Sequence, residues 1–164
     1  MTKTVLVVGA TGLVGESALH RFAGLPDWEA IALSRRTPEP APLGEFKHLA
    51  LDLTDEAACR AAASDLSSVT HVVYAALFEK PGLIAGWREA DQMAVNLAML
   101  ENLLGPLAGA AAGLEHVTLL QGTKAYGVHV RPLVVPAREG RSELREQPNF
   151  YWQQEEYVRA LQAG

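Results

Sequence analysis

Val5-Leu6-Val7-Val8-Gly9-Ala10-Thr11-Gly12-Leu13-Val14-Gly15 is the stretch that decides the fold. Its first four residues are aliphatic at both parities, which predicts a strand buried on both faces. From Leu13 onward, apolar residues recur at helical spacing, so a helix is predicted to follow. The three glycines between them have the spacing G-x-x-G-x-x-G. The first permits a tight turn, the second lets a diphosphate approach the backbone, and the third packs the helix on the strand.

This turn predicts a site for a pyrophosphate. The free N–H groups and the positive dipole end of the helix would face an anion held by the turn. The alternative is an ordinary turn between a strand and a helix, which the same glycine pattern also permits. The predicted binding residues of the turn are Gly9, Thr11, Gly12, Leu13, Val14 and Gly15.

Length and composition restrict the class of protein. The 164 residues allow one domain, residues 1–164, with a sizeable core. The formal net charge of −5 gives no electrostatic reason to expect a nucleic acid as partner. No apolar stretch approaches the roughly 20 residues that a membrane span needs. A single cysteine, Cys59, excludes an internal disulfide and fits a reducing, cytoplasmic location. The five histidines lack metal-ligand spacing, so we expect no metal.

Strand-like and helix-like segments alternate along the chain. We predict strands over residues 5–8, 28–33, 46–51, 69–76 and 116–120, and helices from residue 13 and over 55–66, 84–104 and 150–161. Gly105-Pro106 is predicted to end the third helix. The alternation predicts an α/β fold, a doubly wound parallel sheet of the Rossmann dinucleotide-binding type.

A complete fold of this type has six or seven strands, and the predicted count is five. We therefore expect the chain to be the N-terminal part of a longer short-chain dehydrogenase fold, with the C-terminal substrate-binding part absent. A homodimer formed through the helix over residues 84–104 is possible by analogy with the fold class.

The end of the second strand indicates which dinucleotide binds. In NAD-binding sheets an Asp or Glu here accepts hydrogen bonds from the adenosine ribose. This chain has Ser34-Arg35-Arg36 instead, so no carboxylate would repel a 2′-phosphate and two guanidiniums could pair with it. NADP(H) is therefore favoured over NAD(H). A solvated pair of arginines at the start of a loop is the alternative.

Further cofactor contacts are predicted where the other strands end, because ligands bind outside the carboxyl ends of parallel strands. Asp52 and Leu53 would meet the adenine, although a carboxylate that caps a helix is the alternative for Asp52. Two small residues, Ala75 and Ala76, would let the cofactor lie close to the backbone. Gln121, which follows the fifth strand, completes the set of predicted cofactor-binding residues.

The chemistry needs a proton donor near the cofactor. The ordinary short-chain dehydrogenase dyad, Tyr-x-x-x-Lys, is absent, because none of the four tyrosines has a lysine four residues later. The remaining candidates are Lys124, after the fifth strand, and Tyr151, at the start of the last helix. An ammonium near a phenol lowers the pKa of the phenol, which could donate to a developing oxyanion. A solvated lysine and a half-buried helical tyrosine are the alternative.

Two segments, Gly122-Thr123-Lys124-Ala125-Tyr126-Gly127 and Pro148-Asn149-Phe150-Tyr151-Trp152, resemble the signature segments of the progesterone 5β-reductase/iridoid synthase-like family. These are atypical extended short-chain dehydrogenases. The resemblance implies that Lys124 and Tyr151 form a displaced catalytic pair. It further implies an NADPH-dependent enzyme with a small-molecule substrate, reducing a C=C bond conjugated to a carbonyl. Hydride would go to the β-carbon while Tyr151 stabilises the enolate oxygen, supported by Lys124.

Two other functions are compatible with the same turn. A nucleotide-sugar epimerase or dehydratase shares the fold, but it normally needs the dyad that is missing here. A non-catalytic NADP(H) sensor would keep the glycine turn and lose the catalytic pair, so the presence of Lys124 and Tyr151 argues against it.

Overall fold

The computed structural model describes residues 2–80, 89–138 and 145–163. The elements in chain order are β1 Lys3–Val8, α1 Leu13–Ala23, β2 Trp28–Ser34, β3 Phe46–Ala50, α2 Glu56–Ala62, β4 His71–Tyr74, α3 Ala90–Ala110, β5 His116–Leu119 and α4 Phe150–Ala163. Two 3-10 turns lie at Ala63–Leu66 and Thr123–Tyr126. Strands thus alternate with helices as the sequence predicts, except that β3 follows β2 without a helix between them.

The five strands form one parallel sheet in the order β3-β2-β1-β4-β5. The central strand β1 pairs with β2 on one side and with β4 on the other, with Val8 opposite both Leu33 and Tyr74. The strand order therefore reverses between β1 and β4. This arrangement confirms the prediction of a doubly wound, Rossmann-type sheet, and it makes the carboxyl ends of β1 and β4 the switch point at which such sheets bind ligands.

Both faces of β1 are buried, which explains its aliphatic run. Val5 and Val7 have no exposed surface and pack in a cluster with Leu19 of α1. Leu6 and Val8 point to the opposite face, because side chains alternate along a strand, and they are equally buried. In a strand that is covered on both faces, neither set of alternating side chains meets solvent, so both sets are apolar.

The chain divides into two compact units. The first unit comprises Met1–Leu77 and Met99–Leu120, and holds the sheet; the second comprises Phe78–Ala98 and Gln121–Gly164. The glycine turn belongs to the first unit, whereas Lys124 and Tyr151 belong to the second. The single domain expected from length remains a prediction.

The predicted stop of the third helix at Gly105-Pro106 is wrong. Helix α3 runs on to Ala110 with Pro106 inside it. A proline in a helix removes one backbone hydrogen bond and crowds the preceding turn. Beyond it, however, Leu107 and Ala111 are 0% and 2% exposed, so continuing the helix buries apolar surface that offsets this cost. The predicted beginning of this helix, at residues 84–88, lies outside the described residues.

Several other boundaries differ by one to a few residues. The predicted helix over 55–66 is an α-helix to Ala62 followed by a 3-10 turn, and β4 is shorter than predicted at both ends. The N-cap of α2 is Asp55, whose side chain accepts a 2.9 Å hydrogen bond from the N–H of Ala58. In the described parts of the chain, no helix combines the length and the apolar character needed to cross a membrane. The same parts contain no group of three or more His, Cys, Asp or Glu residues placed to hold a metal.

Candidate functional site

The glycine turn packs tightly against the end of β4. Gly9 has a φ of +81°, in the region that side chains rarely adopt. A β-carbon on Gly9 would lie 2.8 Å from the nitrogen of Ala76 and 2.9 Å from the carbonyl carbon of Ala75. A β-carbon on Gly15 would lie 2.2 Å from the carbonyl oxygen of Gly9. The first and third glycines therefore serve the tight turn and the helix packing that the spacing predicts, and the structure brings Ala75 and Ala76 against the turn.

The second glycine leaves the start of α1 open. Gly12 is the N-cap of α1, and as a glycine it offers no side chain to occupy the first-turn N–H groups. A β-carbon on Gly12 would meet only the oxygen of Gly9, at 3.4 Å. The side chains of Leu13 and Val14 are 86% and 51% exposed. Open N–H groups at a helix N-terminus, with accessible apolar side chains next to them, fit a dinucleotide diphosphate.

The end of β2 holds its two arginines toward solvent. Ser34 is buried, and its hydroxyl donates a 2.7 Å hydrogen bond to the carbonyl oxygen of Arg36. A ring nitrogen of His48 lies 3.2 Å from both oxygens of Ser34. These contacts fix the backbone where the chain leaves the sheet, while Arg35 and Arg36 are exposed. The two guanidiniums are thus displayed on a braced loop.

Asp52 and Leu53, which were predicted to meet the adenine, make hydrogen bonds with residues of the protein itself. One oxygen of Asp52 accepts hydrogen bonds from the N–H and the hydroxyl of Thr54, at 3.0 and 2.8 Å. These bonds, together with the nearby charge of Arg35, lower the pKa of the Asp52 carboxyl despite slight burial. Leu53 is 5% exposed, and its carbonyl oxygen accepts a 2.9 Å bond from the amide of Asn102. An anionic Asp52 beside Arg35 therefore stands at the carboxyl edge of the sheet, and Leu53 faces the core.

In the second unit, Tyr151 lies against the Gly-Thr-Lys segment. Its side chain is 9% exposed and packs with Met93, Ala125 and Phe150. A β-carbon on Gly122 would stand 3.5 Å from the phenol oxygen. Burial raises the pKa of Tyr151, a backbone hydrogen bond from Gly122 lowers it, and the charge of Glu79 raises it. The net direction is upward, opposite to the lowering expected from a neighbouring lysine, because desolvation outweighs the favourable contacts.

Lys124 forms an ion pair with Glu79. The ammonium nitrogen lies 3.2 Å from a carboxylate oxygen of Glu79, and the two side chains are 22% and 31% exposed. Lys124 sits in the 3-10 turn Thr123–Tyr126, which ends at Gly127 with a φ of +81°. Gly122, which contacts the Tyr151 phenol, precedes this turn by one residue, and Lys124 is its second residue. The contact to the phenol and the lysine therefore lie two residues apart in the chain.

Amide side chains tie these segments together. Asn149 donates to the carbonyl of Lys124 and accepts from the N–H of Tyr151, both at 3.0 Å. The amide of Gln121 donates to the carbonyl of Tyr151 at 3.1 Å. Gln154 donates to the carbonyl of Asn96 on α3 at 2.8 Å. The second unit therefore holds the two candidate catalytic residues by amide contacts on both sides, and places the predicted cofactor ligand Gln121 on the backbone of Tyr151.

The sequence predictions missed Glu79 and Gln154, and they assigned no positioning role to Asn149. Glu79 lies 45 residues from Lys124, and Gln154 lies 58 residues from Asn96, so no local spacing connects them. Asn149 had a usable signal, because an Asn just before a helix is a common N-cap. Its second bond, to the carbonyl of Lys124, could not be inferred from that signal.

Comparison with known proteins identifies relatives. The chain matches the model of the NAD dependent epimerase/dehydratase family over residues 5–156. It is 31% identical over 173 residues to short chain dehydrogenase gsfE of Penicillium aethiopicum, covering 100% of this chain and 44% of that protein. It is also 31% identical to (S)-8-oxocitronellyl enol synthase of Catharanthus roseus, covering 89% and 38%. Identity is again 31% to 3-oxo-Delta(4,5)-steroid 5-beta-reductase of Arabidopsis thaliana, covering 93% and 40%. The chain thus spans less than half the length of these relatives.

Solved structures share the fold. Helicobacter pylori ADP-L-glycero-D-manno-heptose-6-epimerase superposes with a TM-score of 0.69 at 17% identity, covering 97% of this chain and 50% of that one. The Bordetella bronchiseptica enzyme WbmG, in complex with NAD, gives 0.67 at 18%, covering 98% and 49%. The enol synthase and the 5-beta-reductase confirm the resemblance drawn from the two signature segments. Because the family model spans residues 5–156, the chain belongs to the NAD dependent epimerase/dehydratase family.

Proposed function

We propose that this protein is an NADPH-dependent reductase that acts on a C=C bond conjugated to a carbonyl, or on a carbonyl itself. The observation that carries the proposal is the fixed pairing of the Lys124 and Tyr151 segments. Asn149 bonds to both, and the Tyr151 phenol lies against Gly122. Such a braced phenol suits a site that must place one proton donor accurately.

The first unit supplies the residues that would hold the cofactor. The glycine turn and the open start of α1 fit the diphosphate, and the braced loop after β2 presents Arg35 and Arg36 to a 2′-phosphate. Asp52 lies nearby as an anion, but it is placed after β3 rather than at the end of β2. When bound, NADPH supplies a hydride to the substrate.

The second unit supplies the group that handles the substrate oxygen. The pKa of Tyr151 is raised, so its hydroxyl keeps its proton at neutral pH and can donate a hydrogen bond. Negative charge grows on a carbonyl oxygen when hydride adds to the carbonyl carbon or to the conjugated β-carbon. A donor already aimed at that oxygen stabilises the transition state more than the ground state. Lys124 would add a positive charge on the same side.

The names of two relatives favour the enone over the simple carbonyl. One is an enol synthase and the other a 3-oxo-Delta(4,5)-steroid 5-beta-reductase, and each is 31% identical to this chain. Hydride addition to an enone passes through an enolate, which is the species that a tyrosine donor would stabilise. An α,β-unsaturated aldehyde or ketone is therefore the substrate class that we propose.

The test replaces Tyr151 by Phe and follows NADPH oxidation with a panel of enones. We expect kcat to fall by about 100-fold or more, the usual contribution of a positioned proton donor. The Kd for NADPH should stay the same, because the proposed cofactor residues lie in the first unit. Tyr157→Phe removes the same atom from the same helix and is the matched control, expected to leave kcat unchanged. An unchanged kcat in Tyr151→Phe would remove that residue from the mechanism.

The same panel separates the rival functions. Tight NADPH binding without turnover of any enone or carbonyl would favour a redox sensor. Conversion of a nucleotide sugar with tightly held cofactor would instead favour an epimerase or dehydratase. Either result would overturn the reductase proposal.

A further inference from the structure

We infer that Glu79 is a positioning residue for the Lys124–Tyr151 pair, which makes the chemical unit a triad of carboxylate, ammonium and phenol. This inference rests on the proposed function. It assigns a role to a residue that no sequence motif marks.

Hydrogen bonds to the residues before and after Glu79 fix the position of its backbone. On one side, the N–H and the carbonyl of Phe78 bond to the side chain of Asn96, at 2.9 and 2.8 Å. On the other side, the N–H of Lys80 donates to the side chain of Gln92 at 2.9 Å. Asn96 and Gln92 are 1% and 0% exposed, so two buried amides of α3 hold the backbone on both sides of Glu79. A carboxylate on such a segment has far less freedom than one on an ordinary loop.

The same helix also anchors the helix of Tyr151. The carbonyl of Asn96 accepts a 2.8 Å hydrogen bond from Gln154 on α4, one turn beyond Tyr151. Asn96 therefore connects the Glu79 segment to the helix that carries the phenol. Glu79 also contacts Lys124 at 3.2 Å. Hydrogen bonds with buried amides therefore hold the backbone segments of all three members of the triad.

The electrostatic role follows from the charges. Glu79 raises the pKa of the Tyr151 phenol, and it also neutralises part of the positive charge of Lys124. The first of these actions keeps the phenol protonated, which a hydrogen-bond donor requires. Two other groups of charged side chains in this unit form their own ion pairs: Lys80 with Glu89 and Asp91, and Glu155 with Arg145 and Arg159. Besides Tyr151, the charged and titratable groups of residues 78–80, 89–98, 122–127 and 150–163 are Glu79, Lys80, Glu89, Asp91, Lys124, Tyr126, Glu155, Glu156, Tyr157 and Arg159.

The first experiment measures kcat against pH for Glu79→Gln with NADPH and an enone. Loss of the carboxylate lowers the pKa of Tyr151, because it removes the negative charge of Glu79 from beside the phenol. The active, protonated phenol is then lost at a lower pH, so the alkaline limb of the kcat profile should move to lower pH. We expect kcat at neutral pH to fall by about tenfold, as for a small misplacement of a catalytic group, while the Kd for NADPH stays constant.

Two further variants make the result specific. Glu79→Asp keeps the charge, so it should restore the alkaline limb even where the shorter side chain lowers kcat. Glu89→Gln is the matched control, because Glu89 pairs with Lys80 at 2.7 Å in the same unit and lies outside the triad. It should leave kcat and the pH profile unchanged. A fall in kcat without a shift of the limb, or the same change in Glu89→Gln, would overturn the inference.

A second measurement is independent of turnover. The ultraviolet absorbance of tyrosinate is titrated without substrate, and the contribution of Tyr151 is obtained by difference from Tyr151→Phe. Glu79→Gln should lower the midpoint of that contribution. If it does so while the wild type reduces no enone, the proposed function fails and the role of Glu79 stands. If the midpoint does not move, the inference is wrong.

Discussion

At the scale of single residues, Gly9 is constrained both by its backbone conformation and by its close neighbours. It combines a φ of +81° with a backbone contact that leaves no room for a β-carbon. We predict that Gly9→Ala lowers the free energy of unfolding by about 1–3 kcal/mol, the usual cost of a side chain held in a sparsely populated conformation. Urea-induced unfolding measures this change. Dinucleotide binding should weaken as well, because the turn must shift away from Ala75 and Ala76.

The control for this substitution lies in the same chain. A β-carbon on Gly109, in the last turn of α3, would meet nothing within 4 Å. Gly109→Ala should therefore leave stability unchanged or raise it by up to about 1 kcal/mol, since alanine favours a helix over glycine. Equal effects at the two positions would show that the loss at Gly9 does not come from its conformation and contacts.

At the scale of elements, the N-cap of α4 does more than start a helix. Asn149 satisfies the N–H of Tyr151, as a cap does, and also reaches the carbonyl of Lys124. We predict that Asn149→Ala lowers the free energy of unfolding by about 1 kcal/mol through loss of the cap, and lowers kcat as well through loss of the tether. Asn149→Asp keeps the acceptor for Tyr151 but not the donor to Lys124, so it should retain stability better than activity.

The variant Asp55→Ala separates the loss of a helix cap from the loss of the tether to Lys124. Asp55 caps α2 with a 2.9 Å bond to the N–H of Ala58, and it lies in the first unit. Its removal should cost a similar amount of stability without the change in kcat. If Asn149→Ala and Asp55→Ala reduce stability and kcat in the same proportion, then Asn149 is only a cap. Chemical denaturation and steady-state kinetics on the same preparations provide both quantities.

The element boundaries show where local sequence signals suffice. The strand-turn-helix of residues 3–23 was predicted because strand burial, glycine spacing and helical periodicity agree there. The end of α3 was not, because the glycine-proline signal is local whereas the burial of Leu107 and Ala111 depends on residues distant in sequence. Tertiary burial outweighed the local signal at that point.

At the scale of the whole molecule, the alternation of strands and helices was enough to predict the doubly wound parallel sheet, whereas its switch point required the observed strand order. Lys124 and Tyr151 could also be proposed from the sequence, because the two short segments that contain them resemble those of a known family. The direction of the Tyr151 pKa was predicted wrongly, since burial of the phenol depends on packing with Met93 and Ala125. The Glu79 contact and the amide scaffold required the folded chain, because their partners are far apart in sequence.

The choice of cofactor is tested on the stability of the whole molecule. A ligand that binds only the folded state stabilises it by about 2.7 kcal/mol at 100 times its Kd. We predict that NADPH raises the melting temperature more than NADH at equal concentration, because Arg35 and Arg36 can pair with the 2′-phosphate. The double variant Arg35→Ala/Arg36→Ala should lose that difference while it keeps the smaller shift with NADH.

Comparison of the two cofactors makes this prediction independent of the reaction. Both cofactors share the diphosphate that the glycine turn would hold, so the NADH shift reports on the turn and the excess with NADPH reports on the arginines. Gly9→Ala should reduce both shifts, whereas the double arginine variant should reduce only the excess. A larger shift with NADH in the wild type would instead assign the two exposed arginines to solvent, and it would make NAD(H) the cofactor of this protein.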